Sequence, residues 1–68
     1  MIENWTMVYS AAKKYKIEII QALLTEAGIE SNPLSKADTT IIFGEIELYV
    51  HNNDAIKAKQ IIEQHPDL

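Results

Sequence analysis

Apolar side chains at every second position of residues 44–50 constrain the fold more than any other feature of this sequence. The apolar positions are Ile46, Leu48 and Val50, and the alternating ones are Glu45, Glu47 and Tyr49. A period of two is typical of a β-strand with one buried and one solvated face. We therefore expect a central strand over about residues 44–50, with two carboxylates and a phenol on its outer face.

The N-terminal part of the chain predicts a strand followed by a helix. Aromatic and β-branched residues favour a strand at about residues 5–9, in which we expect Met7 to face the core. The helix would span about residues 11–27. The Ser10 hydroxyl would cap its start, and Gly28 would close it in the left-handed C′ position.

The remaining signals predict a weaker strand and a second helix. The strand, at about residues 29–34, contains Pro33, which cannot donate a ladder hydrogen bond and so favours an edge position. The second helix, at about residues 53–64, follows a turn in which Asn52 or Asn53 is the expected N-cap. The elements therefore follow the order strand, helix, strand, strand, helix.

Both helices are amphipathic, with apolar residues three and four positions apart. In the first helix these residues are Ile17, Ile20, Leu23, Leu24 and Ala27, with Lys14, Glu18, Gln21 and Thr25 opposite. In the second helix they are Ala55, Ala58, Ile61 and Ile62, and Ile56 falls outside this stripe. Each helix is therefore expected to bury one stripe against a sheet.

This order of elements favours an α+β fold with a ferredoxin-like split sheet. The third strand would lie antiparallel between the first and second, with two helices on one face of the three strands. A complete ferredoxin-like fold has a fourth strand beside the first, and only Pro66, Asp67 and Leu68 remain to build it. We therefore expect the fourth strand to be missing and the first strand to be an open edge.

Length and cysteine content point to a partner. The chain has 68 residues and no cysteine, so it forms one small domain without disulfides, a size at which oligomerisation often adds stability. We expect a homodimer or a complex with another protein, through the first-strand edge or the outer sheet face. Of all the segments, we expect the loop at residues 35–43 in particular to form a contact surface, because it contains Ile41, Ile42 and Phe43. The candidate interface residues are Trp5, Met7, Tyr9, Ile41, Ile42, Phe43 and Tyr49.

Charge and hydropathy exclude several classes of partner. Six lysines, no arginine and ten acidic residues give a net charge of −4, whereas nucleic-acid binding normally needs a basic stripe with arginine. No apolar run approaches a membrane span, and the N-terminus lacks the pattern of a signal peptide. We expect a cytoplasmic protein that binds neither nucleic acid nor membrane.

Residues that could take part in catalysis or metal binding are few and far apart in the sequence. His51 and His65 flank the second helix without a metal-ligand spacing, and two glycines are too few for a phosphate-binding loop. We therefore expect no cofactor, no metal and no catalytic activity. Ser10, Lys13 and Lys14 lie near the expected start of the first helix, where a small anionic ligand could bind.

The sequence also resembles a small bacterial family described as putative prokaryotic signal transducing proteins. The resemblance lies in residues 8–10, 19–29, 36–50 and 54–58. It implies a fold similar to that of the nitrogen-regulatory PII signal proteins and a role in signalling. We therefore expect a non-enzymatic regulatory module that binds a protein partner. The alternative is a sensor of a small anionic metabolite at the N-terminus of the first helix.

Overall fold

A computed structural model describes residues 4–35 and 45–65 as one sheet and two helices. The elements are β1 (Trp5–Ala11), α1 (Lys14–Glu26), β2 (Ser31–Ser35), β3 (Ile46–His51), a 3₁₀ turn (Asn52–Asp54) and α2 (Ala55–Glu63). Their β-α-β-β-α order and their antiparallel pairing confirm the predicted α+β, ferredoxin-like fold. Ile41, Ile42 and Phe43 lie outside the described residues.

The three strands are arranged in the order β1-β3-β2, so the strand with the clean alternation is central as predicted. β3 pairs antiparallel with both neighbours, and Leu48 and Val50 on its inner face are fully buried. β2 is an edge strand of this sheet and contains Pro33. In the part of the chain that the structure describes, no fourth strand joins the sheet.

The core lies between the sheet and both helices. It consists of Ile17, Ile20, Leu24, Ile29, Leu48, Val50 and Ala58. Because α1 and α2 both pack on the face that carries Leu48 and Val50, they form one layer. The predicted stripes are confirmed, since Ala55, Ile61 and Ile62 pack against the core, whereas Ile56 is 76% exposed.

A β-bulge at Val8 changes the direction of the side chains in β1. Met7 pairs with Tyr49, but the next paired residue is Tyr9, which faces Leu48. The extra residue leaves Met7 on the outer face, 44% exposed, while both Val8 and Tyr9 pack against the core. The prediction that Met7 faces inward is therefore wrong, because it assumed an unbroken alternation.

The prediction for the start of α1 is wrong, and the prediction for its end is confirmed. Ser10 is not an N-cap, since it continues β1 opposite Glu47 and the helix begins only at Lys14. The C-terminal prediction is confirmed, because Gly28 has a φ of 81°. Across it, the Ile29 N–H donates to the Leu24 carbonyl at 2.8 Å, and the Gly28 N–H donates to the Thr25 carbonyl at 3.0 Å. These two bonds form a Schellman motif, closed by the buried pair of Leu24 and Ile29.

The chain enters α2 through a 3₁₀ turn instead of a side-chain cap. Asn52 was an expected N-cap, but its side-chain oxygen accepts a hydrogen bond from the Thr6 hydroxyl. Its backbone N–H donates to the Asn4 carbonyl at 2.9 Å. Asp54 occupies the position before α2, and no described side chain caps this helix. The asparagine therefore joins the start of α2 to β1.

Candidate functional site

The outer face of the sheet, opposite both helices, gathers three of the predicted interface residues. Met7 pairs with Tyr49 across β1 and β3, and Trp5 pairs with His51 two positions along. The side chains of Trp5, Met7 and Tyr49 point away from the core. The inward positions between them are occupied by Thr6 on β1 and Val50 on β3. On β2 the same face carries Leu34, which is 39% exposed. Trp5, Met7 and Tyr49 thus share the β1–β3 part of the outer face, whereas Leu34 lies beside Glu47 on its β2 side.

Tyr9, a further interface candidate, does not belong to this surface. The bulge at Val8 turns it toward the helices, where it packs against the core opposite Leu48. Its side chain is therefore placed to stabilise the fold, and it is not part of the outer face.

At one end of the outer face, the His51 side chain contacts both Trp5 and Glu30. Its ring lies against the Trp5 ring, with centroids 4.0 Å apart and planes inclined by 31°. Its Nε2 is 3.8 Å from a carboxylate oxygen of Glu30. These contacts hold the Trp5 indole against the sheet surface and fix its position on the face.

The centre of the face has its own polar contact. The Tyr49 hydroxyl donates to a Glu47 carboxylate oxygen at 2.9 Å. This hydrogen bond raises the pKa of Tyr49 above its ordinary value, and desolvation and the negative charge of Glu47 raise it further. The phenol therefore stays protonated and is held in position beside Met7.

A second concave feature lies on the helix side of the sheet. α1 and the β2 edge border a cleft of about 370 Å³. Its apolar lining residues are Ile17, Pro33 and Ile46, and its polar ones are Lys14, Glu18, Gln21 and Ser35. The polar stripe of α1 is therefore the wall of a cleft. Its spacing was visible in the sequence, but its position beside β2 was not.

The residues predicted to bind an anion are not brought together. Ser10 is exposed on the outer face of the sheet, since it pairs with Glu47. Lys13 precedes α1 and does not line the cleft, whereas Lys14 does. A composite site of these three side chains is therefore not formed, and Lys14 is the member that lies in a concave surface.

A comparison with known families places the chain. A family model described as "Putative prokaryotic signal transducing protein" matches residues 5–65. The chain belongs to this family. The matched span includes all three strands and both helices, and it confirms the resemblance seen in the sequence. No curated protein and no solved structure matches the chain.

Among the residues that the structure describes, no three metal-ligating side chains lie close enough together to hold a metal ion. His51 and His65 lie at opposite ends of the second helical segment. Among the helices that the structure describes, none is long and apolar enough to cross a membrane.

Proposed function

We propose that this member of the signal-transducing family is a non-enzymatic, cytoplasmic regulatory module that binds a protein partner through its outer sheet face. The partner is a second copy of the chain or another protein. The observation that carries the proposal is the placement of Trp5, Met7 and Tyr49 on one face, opposite both helices.

The composition of the face supports this role. Aromatic residues and methionine are enriched at protein interfaces. Aromatic side chains bury a large area with few rotatable bonds, and the flexible methionine side chain adapts its shape to a partner. Met7 and Leu34 are 44% and 39% exposed. Removal of their apolar surface from water by a partner would therefore favour binding. A domain this small, in which seven of the described apolar residues form the buried core, also gains stability from a partner.

The edges of the sheet are less suited to pairing than its face. The bulge at Val8 interrupts β1, and a bulged edge strand twists away from a straight partner strand. On the other edge, Pro33 interrupts the row of donors in β2. Of the two predicted contact surfaces, we therefore favour the outer face over the first-strand edge.

The test compares the wild-type chain with Met7→Glu and with Ile56→Glu. Both substitutions add a carboxylate at an exposed apolar side chain, one on the outer face and one on α2. Light scattering over a concentration series gives the solution mass of each. We expect Met7→Glu to abolish any dimer and Ile56→Glu to leave it intact.

If the wild type is a monomer, the same variants serve in affinity capture from a cell extract of the source organism. A protein retained by wild type and by Ile56→Glu, but lost with Met7→Glu, would be a partner that uses the outer face. Masses and captured proteins that do not differ between the two variants would contradict the proposal.

A second candidate function, a sensor of a small anionic metabolite, is favoured by the cleft. Lys14 places an ammonium beside a concave surface large enough for a metabolite. The site originally expected from Ser10, Lys13 and Lys14 is thereby reduced to Lys14 and its neighbours in the cleft. Titration of the full chain with phosphate and with small carboxylates, followed by NMR, tests this function.

A further inference from the structure

We infer that the cleft between α1 and the β2 edge binds a free α-amino acid with an apolar side chain, in its zwitterionic form. This inference rests on the second candidate function, small-molecule sensing. It replaces a simple anion by a ligand that carries both charges and an apolar body.

The apolar part of the cleft calls for an apolar ligand body. Pro33 is exposed and Ile46 is half-buried, so both offer apolar surface from β2 and β3, and the buried Ile17 closes the floor of the cleft. Ligand pockets are usually lined mainly by apolar side chains, with a few polar groups that fix orientation. A ligand made only of charged atoms would leave this surface without a partner.

The polar part of the cleft carries both signs of charge. Lys14 and Glu18 lie one helical turn apart on α1, where side chains four positions apart are neighbours. Between residues that the structure describes, the one ion pair joins His51 and Glu30, so Lys14 and Glu18 are not bonded to each other. A simple anion would meet Lys14 but be repelled by Glu18.

A zwitterion resolves this conflict. Its carboxylate accepts from the Lys14 ammonium, and its own ammonium donates to the Glu18 carboxylate, so that each charge has an opposite neighbour. The carboxylate and ammonium of an α-amino acid are attached to one carbon, which suits two side chains that are adjacent on one helix. The side chain of the amino acid then lies over Pro33 and Ile46.

The size of the cleft suits a small ligand. Its volume of about 370 Å³ lies near the lower end of the range of ligand pockets, ~300–1,000 Å³. We therefore choose leucine and phenylalanine as ligands of suitable size. For ligands of this size in an open cleft with exposed charges, we expect dissociation constants on the order of 1 mM.

Gln21, which also lines the cleft, connects α1 to β2. Its side-chain Nε2 donates to the Ser31 carbonyl at 3.4 Å, which joins α1 to β2 beside the cleft. This contact spans the two elements that supply most of the lining. This long hydrogen bond therefore links the polar wall of the cleft to the start of β2 without a ligand.

The experiment is an NMR titration of the full chain, with the methyl and amide signals of Ile17 and Ile46 as reporters. The ligands are L-phenylalanine and L-leucine, compared with N-acetyl-L-phenylalanine, L-phenylalaninamide, glycine, acetate and inorganic phosphate. We expect the two amino acids to shift the reporter signals in a saturable way. Removal of the ammonium, the carboxylate or the apolar side chain should weaken binding by roughly 3- to 10-fold.

Two variants and their controls locate the site. Lys14→Met and Glu18→Gln should each weaken phenylalanine binding by roughly 3- to 10-fold. Lys16→Met and Glu26→Gln make the same changes on α1 at residues that do not line the cleft, and they should leave binding unchanged. Binding that is insensitive to Lys14→Met and Glu18→Gln would overturn the inference.

The titration also separates this inference from the function on which it rests. If acetate and phosphate shift the reporters and the amino acids do not, the zwitterion is wrong and an anion sensor stands. If none of the ligands shifts them, both the inference and the sensor function are overturned. The protein-partner proposal is decided independently by the Met7→Glu variant.

Discussion

Met7 and Tyr9 are two residues apart in one strand, yet they lie on opposite faces of the sheet. Met7 pairs with Tyr49 and is 44% exposed, whereas Tyr9 pairs with Leu48 and packs against the core. In a regular strand, residues two apart share a face. The bulge at Val8 therefore places Met7 on the outer face of the sheet and Tyr9 against the core.

This separation predicts unequal costs for two alanine substitutions. Tyr9→Ala should lower the free energy of unfolding by about 2–3 kcal/mol, because it removes an aromatic ring packed on the core. Met7→Ala should lower it by less than about 1 kcal/mol, since the side chain is substantially exposed. Urea denaturation followed by circular dichroism measures both, and similar losses would contradict the assigned bulge.

The sequence predicted those features of the fold that depend on local periodicity. The alternation in residues 46–50 defined the buried face of β3, and the three-and-four spacing in α1 defined its buried stripe. Gly28 predicted the end of α1, because few other residues adopt a positive φ without strain. The order of the strands then followed from the sequence of elements, because strand, helix, strand, strand, helix favours a split sheet with the third strand in the middle.

Other features depend on tertiary pairing and have no local sign. Ser10 is a good N-cap by type, but the ladder with β3 continues through Ser10 and Ala11, so the strand competes successfully with the helix start. A bulge adds one residue without a distinctive sequence, which misplaced Met7. The cleft required β2 to lie beside Lys14 and Glu18, and helical periodicity alone does not predict which strand edge a polar stripe adjoins.

Substitution of Gly28 should cost free energy through backbone conformation alone. Its φ is 81°, and a Cβ built there meets no atom within 4 Å. Gly28→Ala is therefore expected to lower the free energy of unfolding by about 1–2 kcal/mol, the cost of the left-handed conformation. Gly28→Asn should cost less, because asparagine tolerates this conformation. An equal or larger loss for asparagine in urea denaturation would contradict this explanation.

The Ser31 hydroxyl is buried and has no hydrogen-bond partner among the residues that the structure describes. The residue is 8% exposed, and the unpaired atom is its Oγ. Because an unsatisfied buried hydroxyl is unfavourable, Ser31→Ala should be neutral or stabilise the fold by up to about 1 kcal/mol. Ser10→Ala, at an exposed serine on the outer face, is the control and should change stability by less than about 0.5 kcal/mol. A clear loss with Ser31→Ala would indicate a partner for the hydroxyl.

The Tyr49–Glu47 hydrogen bond predicts a specific titration. Glu47→Ala should lower the pKa of Tyr49 toward the ordinary value of 10.0, because it removes both the hydrogen-bond acceptor and the negative charge. NMR of the Tyr49 ring gives the titration, and Glu63→Ala on α2 is the control that should leave it unchanged. A Tyr49 pKa that does not respond to Glu47→Ala would contradict the contact.

The same contact sets the sign of a pH effect. Since the pKa of Tyr49 is raised in the folded chain, its contribution to stability is present below a pH of 10.0. That contribution is lost as the pH rises through the folded-state value. We expect the difference in stability between wild type and Glu47→Ala to shrink over this range, as measured by urea denaturation at several pH values.

The start of α1 offers a stabilising substitution. Lys13 occupies the N-cap position with an extended backbone, φ −103° and ψ 124°, and no described side chain caps the helix. The first turn also lacks an acidic residue, although a helix N-terminus favours negative charge. Lys13→Asn should therefore be more stable than Lys13→Ala by about 1 kcal/mol, because both remove the lysine charge and only asparagine supplies an acceptor. Thermal and urea denaturation of the two variants measure this difference, and equal stabilities would mean that Lys13 is not the N-cap.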